Sequence, residues 1–156
     1  MQTIRSKLAK IIFTEKSVPG LILLLGVFAY GLLIPLLGFY QDDWHHIFHI
    51  STQGVNSLWD LFLYDNRPFA AWPYQILHLL LGLNPVAWQT STLILHLVSA
   101  VMLWLVIKTL WPNQVRQNAW VIALFTVYPF FNLQPLSVAY TVHWTAYLLY
   151  CTSLYL

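Results

Sequence analysis

From Pro19 to Phe39 the chain reads PGLILLLGVFAYGLLIPLLGF without a charge, and about 20 apolar residues suffice for a helix to cross a bilayer. A second run, 86–110, carries a single charge, Lys108. Shorter apolar stretches cover 119–131, which ends in YPFFNLQP, and 145–156, which stops at Leu156 in the middle of its run. These patterns predict four spans, at about 19–39, 86–110, 119–131 and a truncated 145–156. The abrupt apolar end makes the N-terminal portion of a longer protein the expectation.

The segments between the spans have a different rhythm. Trp44, Ile47, Phe48 and Ile50, then Leu58, Leu61 and Phe62, recur at near-helical spacing, split by STQG. That pattern predicts short amphipathic helices over about 43–65 lying flat in the headgroup region. The stretch 67–83, within RPFAAWPYQILHLLLGLNP, is short for a span and bracketed by prolines. It is expected on, or dipping into, the outer leaflet. The fold class is therefore all-α: one polytopic transmembrane helical bundle over 1–156, with an extracytoplasmic first loop carrying interfacial helices.

Charge gives this arrangement a direction. Arg5, Lys7, Lys10 and Lys16 precede the first span against a single Glu15, and Lys108 and Arg116 follow the second. By the positive-inside rule the N-terminus and the 108–118 loop are cytoplasmic, so 67–83 cannot cross fully. A cleaved signal peptide would need a small-residue cleavage site, which PLLGFYQDD does not offer. Composition agrees with a membrane protein: 59% of residues are hydrophobic, 8% are charged and mean hydropathy is +0.65, where soluble domains are roughly 45–50% apolar and about 25% charged. Most tryptophans, Trp44, Trp72, Trp88 and Trp111 among them, fall near predicted ends, as an interfacial belt would. A net charge of +2 with no basic stripe excludes nucleic acid as a partner. Cys151, the single cysteine, rules out an internal disulfide or a cysteine zinc site.

Candidate chemistry gathers in the first loop, which holds four of the five acids and three of the six histidines. Asp42, Asp43, His45, His46 and His49 crowd into GFYQDDWHHIFHI. A partly desolvated carboxylate beside a like charge can serve as a general base. Neighbours on a helix face different ways, so one of Asp42 and Asp43 is expected in a cleft while the other caps, binds a metal or faces solvent. Asp42 is also placed to cap the helix that follows. His45 and His49, at i and i+4 with Asp42 a turn earlier, could hold a divalent metal ion. Arg67, just before Pro68, is placed for a phosphate oxygen, for an ion pair with Asp65, or for the interface. His78 and His96 sit inside apolar helices, where a backbone carbonyl would satisfy each, while His143 returns toward the outer face. No nucleophile elbow, Walker loop or dinucleotide fingerprint is present.

YQDDWH, then NRPFAAWPYQILHLLLGLNPVAWQTSTLILHLVSA, then VYPFFNLQPLSVAYTVHW follow in that order. This order resembles the GT-C superfamily of membrane glycosyltransferases, including the protein O-mannosyltransferases and lipid-A aminoarabinose transferases. The resemblance implies a sugar donor on a polyprenyl phosphate and an acceptor glycan, lipid or protein outside the cytoplasm. It implies Asp42 or Asp43 as base and Arg67 as a phosphate ligand; the paired histidines depart from the family pattern, and His45, His46 and His143 are expected in support around the same cavity. A bacterial plasma membrane is the expected location. Two other classes compete: a non-catalytic polytopic membrane subunit, and a fragment of a metal- or proton-coupled transporter using His45, His49, His78 and His96.

Overall fold

The computed structural model describes residues 14–128 and 135–156. Arg5, Lys7 and Lys10 of the basic flank, and the end of the third predicted span, lie outside the described residues. All regular structure among the described residues is helical: α1 (Val18–Ala29), α2 (Asp42–Gln53), α3 (Ser57–Tyr64), α4 (Ala71–Leu81), α5 (Pro85–Leu110), α6 (Val115–Thr126) and α7 (Ser137–Tyr155). Among the described residues two stretches are long and apolar enough to cross a membrane, Glu15–Leu36 and Pro85–Leu110.

The first of these is not one continuous α-helix. A 3-10 turn, Glu15–Ser17, leads into α1, and a second, Gly31–Leu36, follows a break at Tyr30. Pro35 lies inside that second turn. Without an N–H and with a ring that crowds the preceding turn, proline does not let the α-helix run on. By contrast α5 matches its predicted span almost residue for residue. Asn84 caps it, accepting a bond from the Ala87 N–H at 3.2 Å, and Pro85 takes the first helical position.

Helix α5 is the axis of the fold, touching α1, α6 and α7. At one end Glu15 pairs with Lys108 at 2.6 Å. At the other, Gln89 Nε2 donates to the Gly38 carbonyl at 3.1 Å, so the first stretch runs antiparallel to α5. Glu15 thus supplies the acid beside Lys108, and residues 14–17 share an end of the fold with the 108–118 loop. Helix α7 runs parallel to α5: Thr92 Oγ1 donates to the Ser137 carbonyl at 2.7 Å, and Ser99 Oγ to that of Trp144 at 3.2 Å.

The α5–α7 contact explains where the last helix begins. LSVAYTVHW was expected outside the fourth span, yet α7 begins at Ser137. Two of its polar residues are inward-facing helix surface: Ser137 and Thr141 are fully buried against α5. On α5 the matching stripe is Gln89, Thr92, His96 and Ser99, all buried at helical spacing. The His96 ring stacks on Trp144 with centroids 3.9 Å apart and 13° between planes. Periodicity counts such residues as polar and therefore exterior, whereas between apolar helices hydrogen-bonding groups hold the interface together. Where the third span was predicted, at 119–131, the described helix is α6, which starts earlier, at Val115, and ends at Thr126.

Two helices, α2 and α3, occupy the first loop, and the break between them falls later than STQG suggested. Helix α2 runs through Ser51, Thr52 and Gln53 and ends at Gly54, whose φ of +81° suits glycine. Ile47, Leu58 and Phe62 then pack with Tyr74, Trp88 and Val138 into a core beneath them. A second core, around Val18, Ile22, Ala100, Trp104 and Ile122, holds the Glu15–Lys108 end. Between the two, α1 approaches α5 closely: a Cβ at Gly26 would collide with the Leu97 side chain. Gly26→Ala is expected to cost about 1–3 kcal/mol through overpacking, read as a lowered thermal midpoint in detergent. The two positions should couple: Gly26→Ala should cost less in a Leu97→Ala background than in the wild type, and equal costs in both backgrounds would contradict the close approach.

Candidate functional site

The site begins where the chain leaves the first apolar stretch. Gln41 takes a φ of +42°, an uncommon conformation for a residue with a side chain, and α2 starts at once with Asp42 and Asp43. Successive helix residues are about 100° apart, so the two carboxylates part company.

Asp43 turns inward and is fully buried. Its Oδ1 accepts the Ala139 N–H at 2.8 Å, and the amides of Ser137 and Val138 bear on it as well. These are the first three residues of α7, whose own N-cap position is Leu136 and offers no side-chain acceptor. Asp43 is thus the N-cap of a helix 96 positions away. Tyr74 completes the joint by donating its hydroxyl to the Ala139 carbonyl at 3.2 Å. Burial pushes the Asp43 carboxyl up to about 6 against the opposing pull of the backbone N–H groups. Burial, and then the charge of Asp43, raise the Tyr74 phenol, which stays a donor.

Asp42 faces the other way and is exposed. It borders a cavity of about 310 Å³, together with His45, His46, Asp65, Arg67 and His143. Of the two candidate bases, then, Asp42 stands on the cavity wall and Asp43 does not line it. His46 Nδ1 lies 2.9 Å from the Asp42 main-chain oxygen; a carbonyl only accepts, so Nδ1 carries the proton and Nε2 the lone pair. The ring is clamped by near-parallel stacking on Tyr74 at 5.0 Å and Phe62 at 5.6 Å. Burial lowers the pKa of His46, which favours its neutral form. In the sequence Phe62 is read only as part of an apolar helix face and Tyr74 carries no signal, because buried aromatics on short amphipathic helices look like ordinary core.

Arg67 forms an ion pair with Asp65 at 3.0 Å, and its guanidinium lies 5.9 Å from the Phe62 ring centroid. It also borders an apolar groove of about 380 Å³ between α4 and α7, lined by Phe69, Trp72, Ala146 and Leu149. Arg67 and Val142 are the two residues common to cavity and groove. A further apolar depression of about 220 Å³ shares Trp72, Pro73, Thr145 and Leu149 with the groove and continues to Leu95 and Leu148.

The metal expectation fares differently. No three His, Cys, Asp or Glu side chains among the described residues form a group that could hold a metal ion. His49 packs edge-on against His45 at 5.0 Å, its Nδ1 is buried without a hydrogen-bond partner, and it does not line the cavity. Asp42, His45 and His49 therefore do not fit a divalent ion, and no chemistry below passes through one. His78 meets the Gly82 carbonyl at 3.3 Å, the backbone role foreseen for it.

The buried carboxylate has a measurable signature. The folded protein keeps a proton on Asp43 between about pH 4 and pH 6 that an unfolded chain releases. Stability from this group is therefore full at low pH and lost as pH rises through about 6. Asp43→Asn keeps an acceptor for Ala139 but cannot ionise. Relative to wild type it should gain stability across that window, by at most about 3 kcal/mol, in thermal midpoints taken from about pH 4 to pH 8. His46 contributes equally to both proteins and cancels. A pH-independent difference would contradict the assignment.

No family model matches the chain, and no curated protein or solved structure matches it.

Proposed function

We propose that the chain forms the donor-handling part of a GT-C-type membrane glycosyltransferase, moving a sugar from a polyprenyl phosphate to an acceptor outside the cytoplasm. One observation carries this reading: a polar cavity and an apolar groove meet at Arg67. An amphiphile with a polar head, a phosphate and a long apolar chain matches that succession part for part. The outward-facing apolar side of the first stretch supports a bilayer setting, with Leu24, Phe28, Leu32 and Leu36 all more than half exposed. In that setting the Glu15–Lys108 end is cytoplasmic and the cavity opens at the opposite surface. The span at α6 and the surface position of α2, α3 and α4 belong to the same proposal.

The reaction needs a nucleophile, a proton acceptor and a stabilised leaving group. The acceptor oxygen attacks the anomeric carbon as the bond from that carbon to the phosphate oxygen breaks. The acceptor's proton passes to Asp42, and the electron pair leaves on the polyprenyl phosphate, beside the Arg67 guanidinium. Attack opposite the leaving group inverts the anomeric centre. Asp43 takes no proton in this step; it holds α7, and with it His143, against the α2 wall.

The test is release of polyprenyl monophosphate from synthetic polyprenyl-phospho-hexoses by the full-length protein in proteoliposomes. Asp42→Asn should slow release by about 10²–10⁴-fold, while Asp43→Asn stays within a few-fold of wild type. Equal rates in wild type and Asp42→Asn would overturn the mechanism. No release by the wild type with any hexose tested would turn the reading toward a non-catalytic membrane subunit.

A further inference from the structure

The ion pair at the cavity mouth is more than a surface contact. Its two residues are separated only by Asn66, which takes a φ of +58°. The main chain is tied there on both sides, Asp65 N–H to the Leu61 carbonyl at 3.2 Å and Arg67 N–H to that of Phe62 at 2.7 Å. This turn at the end of α3 sets the carboxylate beside the guanidinium in a stretch where both border the cavity.

We propose that Asp65 is the resident counter-ion of an anion site at Arg67, holding the place a lipid phosphate takes, so that such a lipid binds by displacing it. The inference rests on the reading of Arg67 as the phosphate ligand and names what regulates that site.

Three features carry it. Asp65 engages Arg67 through one bond, to Nη2, which leaves most of the five guanidinium N–H donors for a second anion. Both side chains are well exposed, at 59% for Arg67 and 40% for Asp65; a pair of that kind is held weakly, and its carboxylate rehydrates readily when displaced. Arg67 also keeps a second hold, its guanidinium lying over the Phe62 ring, so it stays in place when Asp65 leaves.

Charge then makes the site selective. Asp42 and Asp65 face the same cavity as Arg67, so an incoming anion meets two negative groups and one positive group. A phosphate, with several acceptor oxygens suited to a bidentate guanidinium contact, displaces a singly bonded carboxylate. An uncharged lipid has nothing to offer Arg67. Asp65 thus acts as a specificity-determining residue: it lowers affinity for every anion and leaves only a strong guanidinium ligand able to compete.

The experiment measures binding to the full chain in nanodiscs, with farnesyl monophosphate, farnesol and inorganic phosphate as probes and tryptophan fluorescence as the readout, Trp72 lying on the groove wall. Asp65→Asn should bind farnesyl monophosphate roughly twofold to fivefold more tightly than wild type, the range of an exposed ion pair. Arg67→Ala should lose that binding, and the double variant should bind no better than Arg67→Ala alone. A role of Asp65 in folding alone would not produce this dependence on Arg67. Unchanged or weaker binding by Asp65→Asn, with Arg67→Ala still defective, overturns the counter-ion and leaves the phosphate reading standing. Wild-type binding by Arg67→Ala overturns both. Farnesol or inorganic phosphate binding as tightly as farnesyl monophosphate overturns the lipid-phosphate ligand.

Discussion

One buried carboxylate joins the two halves of this fold. Asp43 belongs to the first loop, and the amide it holds at 2.8 Å belongs to the first turn of α7. Without that bond the start of α7 would present unsatisfied N–H groups to a buried interface, since Leu136 cannot cap it. The wall that α7 lends to the cavity, through His143 and Val142, depends on the same contact. Gln89 reinforces the joint from α5, donating to the carbonyls of Gly38 and Pro135, one on each side of it. The burial of Asp43 is costly, and its neighbours relieve that cost with backbone dipoles rather than with a cation.

This explains how far the sequence could be read. The apolar runs located α5 to within a residue, because a long uncharged stretch flanked by Asn84, Pro85 and Lys108 has one helical reading. The loop helices were legible from their spacing, and Gly54 marks their break. The start of α7 was not legible. Its threonines and serine resemble a surface segment until α5 supplies carbonyls and hydroxyls at matching heights, as where Thr92 meets both the Ser137 carbonyl and the Thr141 hydroxyl. Such pairing is a property of two helices, and no window along one of them contains it.

The candidate site follows the same division. The residue types were visible: carboxylates, histidines and an arginine concentrated in one loop. Their grouping was partly visible, for Asp42, His45, His46, Arg67 and His143 do share one cavity. The separation of Asp42 from Asp43 required the partner of Asp43, which lies far along the chain. The i and i+4 spacing does bring two imidazoles together, His45 edge-on to His49, but no third ligand joins them in a metal-sized group among the described residues.

Val142 and Arg67 stand on the shared wall of two compartments, and Val142 rides on the same rigid helix as His143 on one side and Thr145, Ala146 and Leu149 on the other. A rotation of α7 that narrows the apolar groove must therefore also move the histidine edge of the polar cavity. The two compartments therefore share one helical wall, and a change at Val142 or Arg67 borders both at once.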